Sequence, residues 1–149
     1  MLRDRTTVKP GIFLLPHVVA QLSGSLVVQV VEGSEITATE YALTSWLAIQ
    51  GRATPTDLAS DLGMALTTVS TLIDRLVQKK QLRRVRHPDD GRSYLVELTR
   101  RGVATNTRNA RRLGRCIARL HEHLEGDPEE ILAAMRRLEE ALRRTLAEA

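Results

Sequence analysis

A single cysteine, Cys116, excludes an internal disulfide. Near the start, Ile12 to Leu15 is cut short by Pro16, and neither a long apolar core nor a small-residue cleavage site follows. A cytoplasmic protein is expected. Aromatic residues are almost missing, with one Trp, one Phe and two Tyr in 149 residues. Proteins that grip single strands stack bases on aromatic platforms, so that class is disfavoured. The most apolar stretch, Val18 to Val31, is broken by Gln21, Ser23, Gly24, Ser25 and Gln29. It falls short of the roughly 20 residues of a membrane span and is expected to be a buried helix, with no membrane partner. Repeats, low-complexity tracts and long linkers are lacking, and the length suits one domain with only the first ten residues loosely held. No nucleophile with an adjacent base, metal-ligand set or glycine-rich phosphate loop is found, so neither an enzyme nor a cofactor or metal is expected.

What is present is charge and helical periodicity. Lys and Arg number 22 against 18 Asp and Glu, a net +4 that favours a polyanionic partner. Val19, Leu22, Leu26 and Val30 recur at helical spacing, with Val18, Val27 and Val31 beside them, and predict a first helix that buries much of its surface. Thr37 and Glu40 have capping-box spacing before Tyr41, Leu43, Trp46, Leu47 and Ile49, and Gly51 closes the run. Thr54-Pro55-Thr56-Asp57 supplies a cap hydroxyl, a first-position proline and a first-turn acid for a short helix to about Asp61. Gly63 breaks it, and Val69, Leu72, Ile73 and Leu76 mark another helix from about Leu66 to Lys79. Two helices around a glycine turn are a helix-turn-helix candidate.

The period then changes. Leu82 to Arg86 and Ser93 to Leu98 read as strands on either side of His87-Pro88-Asp89-Asp90-Gly91. Beyond them, one stripe runs through Leu113, Ile117, Leu120 and Leu124. A second runs through Ile131, Met135, Leu138, Leu142 and Leu146, with Asp127 as cap, Pro128 at the first position and Glu130 completing a capping box. Long helices flanking so small a lobe have little to bury against within one protomer, which implies a homodimer.

Off the core stripe of the fourth helix stand Thr67, Thr68, Ser70, Thr71, Asp74, Arg75, Gln78 and Lys79. Small polar side chains with cations at one end suit a helix set in the major groove; a solvated Thr- and Ser-rich face is the plain alternative. Arg83, Arg84 and Arg86 precede the hairpin tip and Arg92 follows it, concentrating four guanidiniums where a narrow minor groove would attract them. Asp90 is placed to hold a neighbouring guanidinium in register. A charged surface turn is the alternative.

Leu58-Ala59-Ser60-Asp61-Leu62-Gly63, Thr68-Val69-Ser70, Asp74-Arg75-Leu76, Asp90-Gly91-Arg92 and Leu98-Thr99-Arg100-Arg101-Gly102 together resemble the MarR family in order and spacing. The likeness covers Thr54 to Gly102 in detail and the flanking helices in pattern. It implies a mainly α fold with a small β-hairpin wing (α+β): a winged helix-turn-helix with N- and C-terminal dimerisation helices. Residues 1–149 would form one domain, with the DNA-binding lobe at about 35–102 and dimerisation helices at about 11–32 and 103–149. It further implies a homodimeric regulator of transcription, in the commoner case a repressor, on a pseudo-palindromic duplex-DNA operator, released by a small aromatic or phenolic effector. Matched by position, Thr67, Thr68, Ser70, Thr71 and Arg75 would be recognition-helix contacts, with Arg86, Asp90 and Arg92 in the wing. A winged module with an architectural or protein-docking role is the alternative.

Departures from the pattern are specific. Ala65 and Leu66 stand where the family often has Ser and a nearby Arg, and Thr71 replaces another frequent Arg. Lys80 stands where a C-cap glycine is usual, so local strain is expected there. Phe13, His17, Trp46 and Arg112 are candidates to line an effector cavity, with core packing as the alternative for the His and Trp. Cys116, among Leu113 and Ile117, reads as a packing residue rather than a redox sensor. His121 and His123, two apart on a helix, suit chelation poorly.

Overall fold

The computed structural model describes residues 11–148. Its elements follow in the order α1 (Leu14–Val31), α2 (Ala38–Gln50), α3 (Pro55–Leu62), α4 (Leu66–Gln78), β1 (Leu82–Arg86), β2 (Tyr94–Leu98), α5 (Arg100–His123) and α6 (Pro128–Ala147). The fold is thus mainly helical with a two-stranded antiparallel hairpin, as the periodicity implies. The ten residues expected to be loosely held lie outside the described part. Two compact units divide between Leu113 and Gly114, within α5.

In the first unit the helices begin where the local chemistry places them. Thr37 Oγ1 accepts the Glu40 amide at 3.3 Å while a Glu40 carboxylate oxygen accepts the Thr37 amide at 2.8 Å, closing the expected box at the start of α2. Thr54 and Asp57 close a second box around Pro55. Gly63 ends α3 at φ 61°, in the left-handed region that costs most L-residues about 1–2 kcal/mol. Lys80 adopts φ 58° without being glycine, which is the strained helix-to-strand turn the sequence predicts. Neighbours fix it: its amide donates to Val77 O at 2.9 Å, and the Thr99 hydroxyl donates to its carbonyl at 2.6 Å.

The core collects Leu43 and Leu47 of α2, Leu58 of α3, Val69, Ile73 and Leu76 of α4, and Leu82 and Val96 of the hairpin, all essentially excluded from solvent. The strands pair from Leu82↔Leu98 to Arg86↔Tyr94. Ala53 adds a bridge that the sequence reading missed, exchanging both backbone hydrogen bonds with Val96 at 2.9 and 3.3 Å. This one-residue third strand ties the α2–α3 connection to β2.

The junction of β2 with α5 explains Thr99 and Gly102. The Thr99 hydroxyl accepts the Gly102 amide at 3.0 Å, capping α5, while the Thr99 amide donates to Gln81 O at 3.0 Å. A Cβ on Gly102 would stand 2.1 Å from that same carbonyl oxygen, so only glycine lets the helix pass so close. Further along α5 the seam is polar: Thr44 and Ser45 hydroxyls of α2 donate to Asn106 Oδ1 at 3.4 and 3.1 Å, and Asn109 Nδ2 donates to Ser34 Oγ of the α1–α2 connection at 3.1 Å.

α1 corrects the expectation of a buried helix. Only Val30 and Val31 are buried, while Leu14, Leu15, Val18, Val19, Leu22, Leu26 and Val28 are exposed in the single chain. At 18 residues it is also long and apolar enough, by length and composition, to cross a membrane, contrary to the reading that it falls short. The polar breaks do not interrupt it, because Ser23 and Ser25 turn their hydroxyls back onto the carbonyls of Val19 and Gln21 at 2.8 and 2.9 Å.

The second unit holds the end of α5 and α6. Asp127 accepts the Glu129 amide at 3.0 Å and Pro128 takes the first position, but the Glu130 half of the expected box does not form. Ile117, Leu120, Ile131, Met135, Leu142 and Leu146 are exposed, and no residue of α6 is buried. Ion pairs at i,i+4, Glu139 with Arg143 and Glu140 with Arg144, support the polar side of α6.

Candidate nucleic-acid interface

α3 and α4 meet through the Gly63 turn, and burying Val69, Leu72, Ile73 and Leu76 turns the opposite side of α4 outward. Thr67, Thr68, Thr71, Asp74 and Arg75 are exposed on it and Ser70 is half-buried, so the expected contacts share one surface. Their hydroxyls differ in what they can offer. Ser70 donates to Leu66 O at 2.9 Å and Thr71 to Thr67 O at 3.0 Å, so both have spent their proton and retain lone pairs that accept. Among the described residues no hydrogen bond engages the hydroxyl of Thr67 or of Thr68. Ala65, at the N-cap, provides no side-chain bond, and the first turn of α4 is left without one.

The wing sorts its arginines. Arg83 pairs with Glu97, which also pairs with Arg52. Arg84 pairs with Asp74 of α4 and lies over the Tyr94 ring, 5.2 Å from its centroid. Of the four guanidiniums concentrated around the hairpin, two therefore brace it. Arg86 and Arg92 flank the tip, are exposed, and have no ion-pair partner among the described residues. Asp90 corrects its expected role: its Oδ1 accepts the backbone amide of Arg92 at 2.9 Å rather than holding a guanidinium. A carboxylate two residues before an amide is already in place to close an Asx turn, and that geometry wins.

Below the surface lie two buried carboxylates that the motifs did not reveal as ion pairs. Burial works to raise the Glu40 carboxyl, but the Lys79 ammonium at 2.7 and 2.9 Å and the Thr37 amide outweigh it and hold it below the ordinary value. Lys79 thereby ties the end of α4 to the start of α2 and leaves the outward face to Arg75. Burial likewise works to raise Glu97, and Arg83 and Arg52 together bring it below its usual range. Arg101 lowers Glu35, whose Oε2 also accepts from the Gln81 side-chain Nε2 at 2.9 Å.

The candidate effector residues are not gathered in one protomer. Phe13 and His17 are exposed at the N-terminal end of α1, and Trp46 is half-buried on α2. Arg112 donates to Val30 O and Glu32 O at 3.2 and 2.8 Å, capping the other end of α1, about 20 Å along the helix from His17. Cys116 is half-buried. Among the described residues no three of His, Cys, Asp and Glu converge as metal ligands.

A helix-turn-helix whose second helix presents a polar face, followed by a basic hairpin paired back onto the lobe, is a winged helix-turn-helix. Residues 36–94 match the model of the MarR family. The multiple antibiotic resistance protein MarR of Salmonella typhimurium is 34% identical over 70 residues, covering 47% of this chain and 49% of that protein. The Escherichia coli K12 protein of the same name is 31% identical over 90 residues, covering 60% and 62%. The matched stretch thus spans about half to three-fifths of these curated relatives. Solved structures extend the likeness in fold. A mutant MarR from Escherichia coli, complexed with operator DNA, superimposes with a TM-score of 0.72 and 26% identity, covering 86% of this chain and 91% of that one. The PcaV regulator of Streptomyces coelicolor, in complex with its natural ligand, shares the fold at TM-score 0.72 and 23% identity over 95% and 99%.

Proposed function

We propose that the chain is a homodimeric, cytoplasmic regulator of transcription that binds a pseudo-palindromic duplex-DNA operator, rather than an enzyme. The observation that carries the reading is the sorting of charge on the lobe. Among the described residues Arg83, Arg84 and Lys79 are consumed in ion pairs, whereas Arg75, Arg86 and Arg92 have none and stand around the polar face of α4 and the wing tip. Free cations around a helix face of Thr and Ser suit phosphate contacts beside base edges. Thr67, Thr68, Ser70, Thr71 and Arg75 are assigned to the major groove. Arg86 and Arg92 are assigned to the adjacent backbone or minor groove, with Asp90 setting the Arg92 backbone. The likeness to a MarR bound to operator DNA supports this assignment.

Dimerisation accounts for the uncovered apolar surfaces of α1 and of the C-terminal helices, since monomeric proteins rarely leave such continuous apolar faces to water. Residues 11–32 and 103–149 are proposed to carry it, within a single functional domain. Repression released by a small aromatic or phenolic effector follows from the family resemblance, with Phe13, His17, Trp46 and Arg112 as the residues to probe.

The test is a titration of fluorescent duplexes, one from the DNA upstream of the gene and one scrambled, at two salt concentrations, with size checked by light scattering. Tight, sequence-selective binding by a dimer, weakening steeply with salt, is the expected result. Equal weak binding to both duplexes, or salt-insensitive affinity for a protein, would replace this reading with an architectural or docking role.

A further inference from the structure

The wing tip is built around a histidine that accepts hydrogen bonds. His87 directly follows β1, Pro88 fixes the next φ near −65°, and the chain reverses through Asp89, Asp90 and Gly91. The His87 ring is half-buried, and its Nδ1 faces two backbone donors, the amides of Asp89 at 3.2 Å and Asp90 at 3.0 Å. Asp90 continues the series: its Oδ1 accepts the Arg92 amide at 2.9 Å and its carbonyl accepts the Ser93 amide at 3.2 Å. A connected set of bonds thus runs from the His87 ring to the backbone of Arg92. A ring nitrogen can accept only when it carries no proton, so the geometry requires a bare Nδ1 with the proton on Nε2.

We propose that His87 is a positioning residue of the wing that works only in its neutral form: its bare Nδ1 holds the turn that sets Arg92. Protonation places an N–H where two already point, opens the turn and weakens the grip on duplex DNA. The inference rests on the DNA-binding reading and adds to it a dependence on pH. Among side chains, histidine is the one whose ordinary charge change falls between pH 5 and 8.

The surrounding charges are mixed. On the loop Arg86 and Arg92 oppose a further positive charge, and Asp89 and Asp90 favour it. From β2, Tyr94 stands opposite Arg86, and the Glu97 carboxylate is engaged by Arg52 and Arg83. A pure charge effect has the opposite sign, because one more cation beside a polyanion tightens binding as pH falls.

The experiment measures duplex affinity at pH 7.5 and 5.5 at constant ionic strength for the wild type, His87→Asn and His87→Ala. It also reads the His87 ring nitrogens and the Asp89 and Asp90 amides by NMR in the free protein. The expected ring at pH 7.5 is protonated on Nε2, and both amides shift with it on acidification. Wild-type binding is weaker at pH 5.5 than at pH 7.5, by up to about fivefold for each hydrogen bond the turn loses. His87→Asn, whose amide oxygen accepts the same amides in an Asx turn, holds its affinity at both, and His87→Ala is weak at both. A proton on Nδ1 at pH 7.5, tighter wild-type binding at pH 5.5, or a His87→Ala variant equal to wild type at pH 7.5 overturns the proposal. Absence of duplex binding by every variant overturns the DNA-binding reading instead, and the ring measurement alone then decides whether His87 holds the turn.

Discussion

Lys79→Met is the sharpest test of how α4 is held. Glu40 is 1% exposed and its carboxylate receives the Lys79 ammonium on both oxygens, at 2.9 and 2.7 Å, besides the Thr37 amide at 2.8 Å. Removing the ammonium leaves an ionised carboxylate in the interior with Thr37 as its remaining donor. Breaking a fully buried pair in this way costs about 3–5 kcal/mol, whereas exposed pairs are worth about 0–1 kcal/mol. The Lys79 side chain is 35% exposed, so water reaches the vacated place. The expected loss therefore lies between the limits, at about 2 kcal/mol, or roughly 4–8 °C in Tm for a chain of this size. It is read by urea and thermal unfolding at one fixed protein concentration, because the stability of a dimer depends on it.

The pH dependence has a defined sign. Glu40 sits below the ordinary carboxylate value of 4.5 when folded, so its contribution is complete above that value. It is lost as pH falls through the lower folded value. The gap between wild type and Lys79→Met should be full at neutral pH and shrink as pH falls through the range where the variant's Glu40, raised by burial without its ammonium, takes up a proton. Glu40→Gln in the Lys79→Met background should recover part of the loss, since the stranded charge is gone. If Lys79 instead served as a phosphate contact, Lys79→Met would spare stability and reduce the salt dependence of DNA binding by about one counterion. That result would refute the clamp.

Two further substitutions separate bracing from contact. Gly102→Ala puts a methyl 2.1 Å from Gln81 O and should destabilise by about 1–3 kcal/mol in urea unfolding; wild-type stability would show that β1 and α5 do not pass so closely. Arg92→Ala should cost about 1–3 kcal/mol of duplex affinity at unchanged Tm, whereas Arg84→Ala, losing Asp74 and the Tyr94 ring, should lower Tm. Equal effects of the two on affinity at unchanged stability would contradict the division of the wing arginines.

Helices and hairpin were legible because each has a local cause. Thr37 with Glu40, Thr54-Pro55-Thr56-Asp57 and Gly63 act within four residues of the backbone groups they satisfy, and the structure closes both boxes and turns at Gly63. Lys80 was legible for the same reason, as a turn position lacking the residue best suited to it. The Ala53 bridge was not: a single small residue pairing with the distant Val96 leaves no period to detect. α1 was misread because periodicity reports that a face is apolar without saying whether its own chain covers it. Here the chain covers only Val30 and Val31.

The interface was legible in residue type and not in partnership. Counting arginines around the hairpin gives four, but a guanidinium's role depends on which carboxylate the fold brings to it. Asp74 belongs to α4 and Glu97 to β2, and only the paired register places them against Arg84 and Arg83. The same logic took Lys79 from the outward face and gave it to Glu40, a residue whose short-range role as half of a capping box was visible and whose long-range one was not. Pairing that removes a cation from solvent also removes it from any phosphate. The arginines proposed to meet DNA are therefore those with no acid partner among the described residues: Arg75 on α4, and Arg86 and Arg92 flanking the tip whose backbone His87 and Asp90 hold by hydrogen bonds.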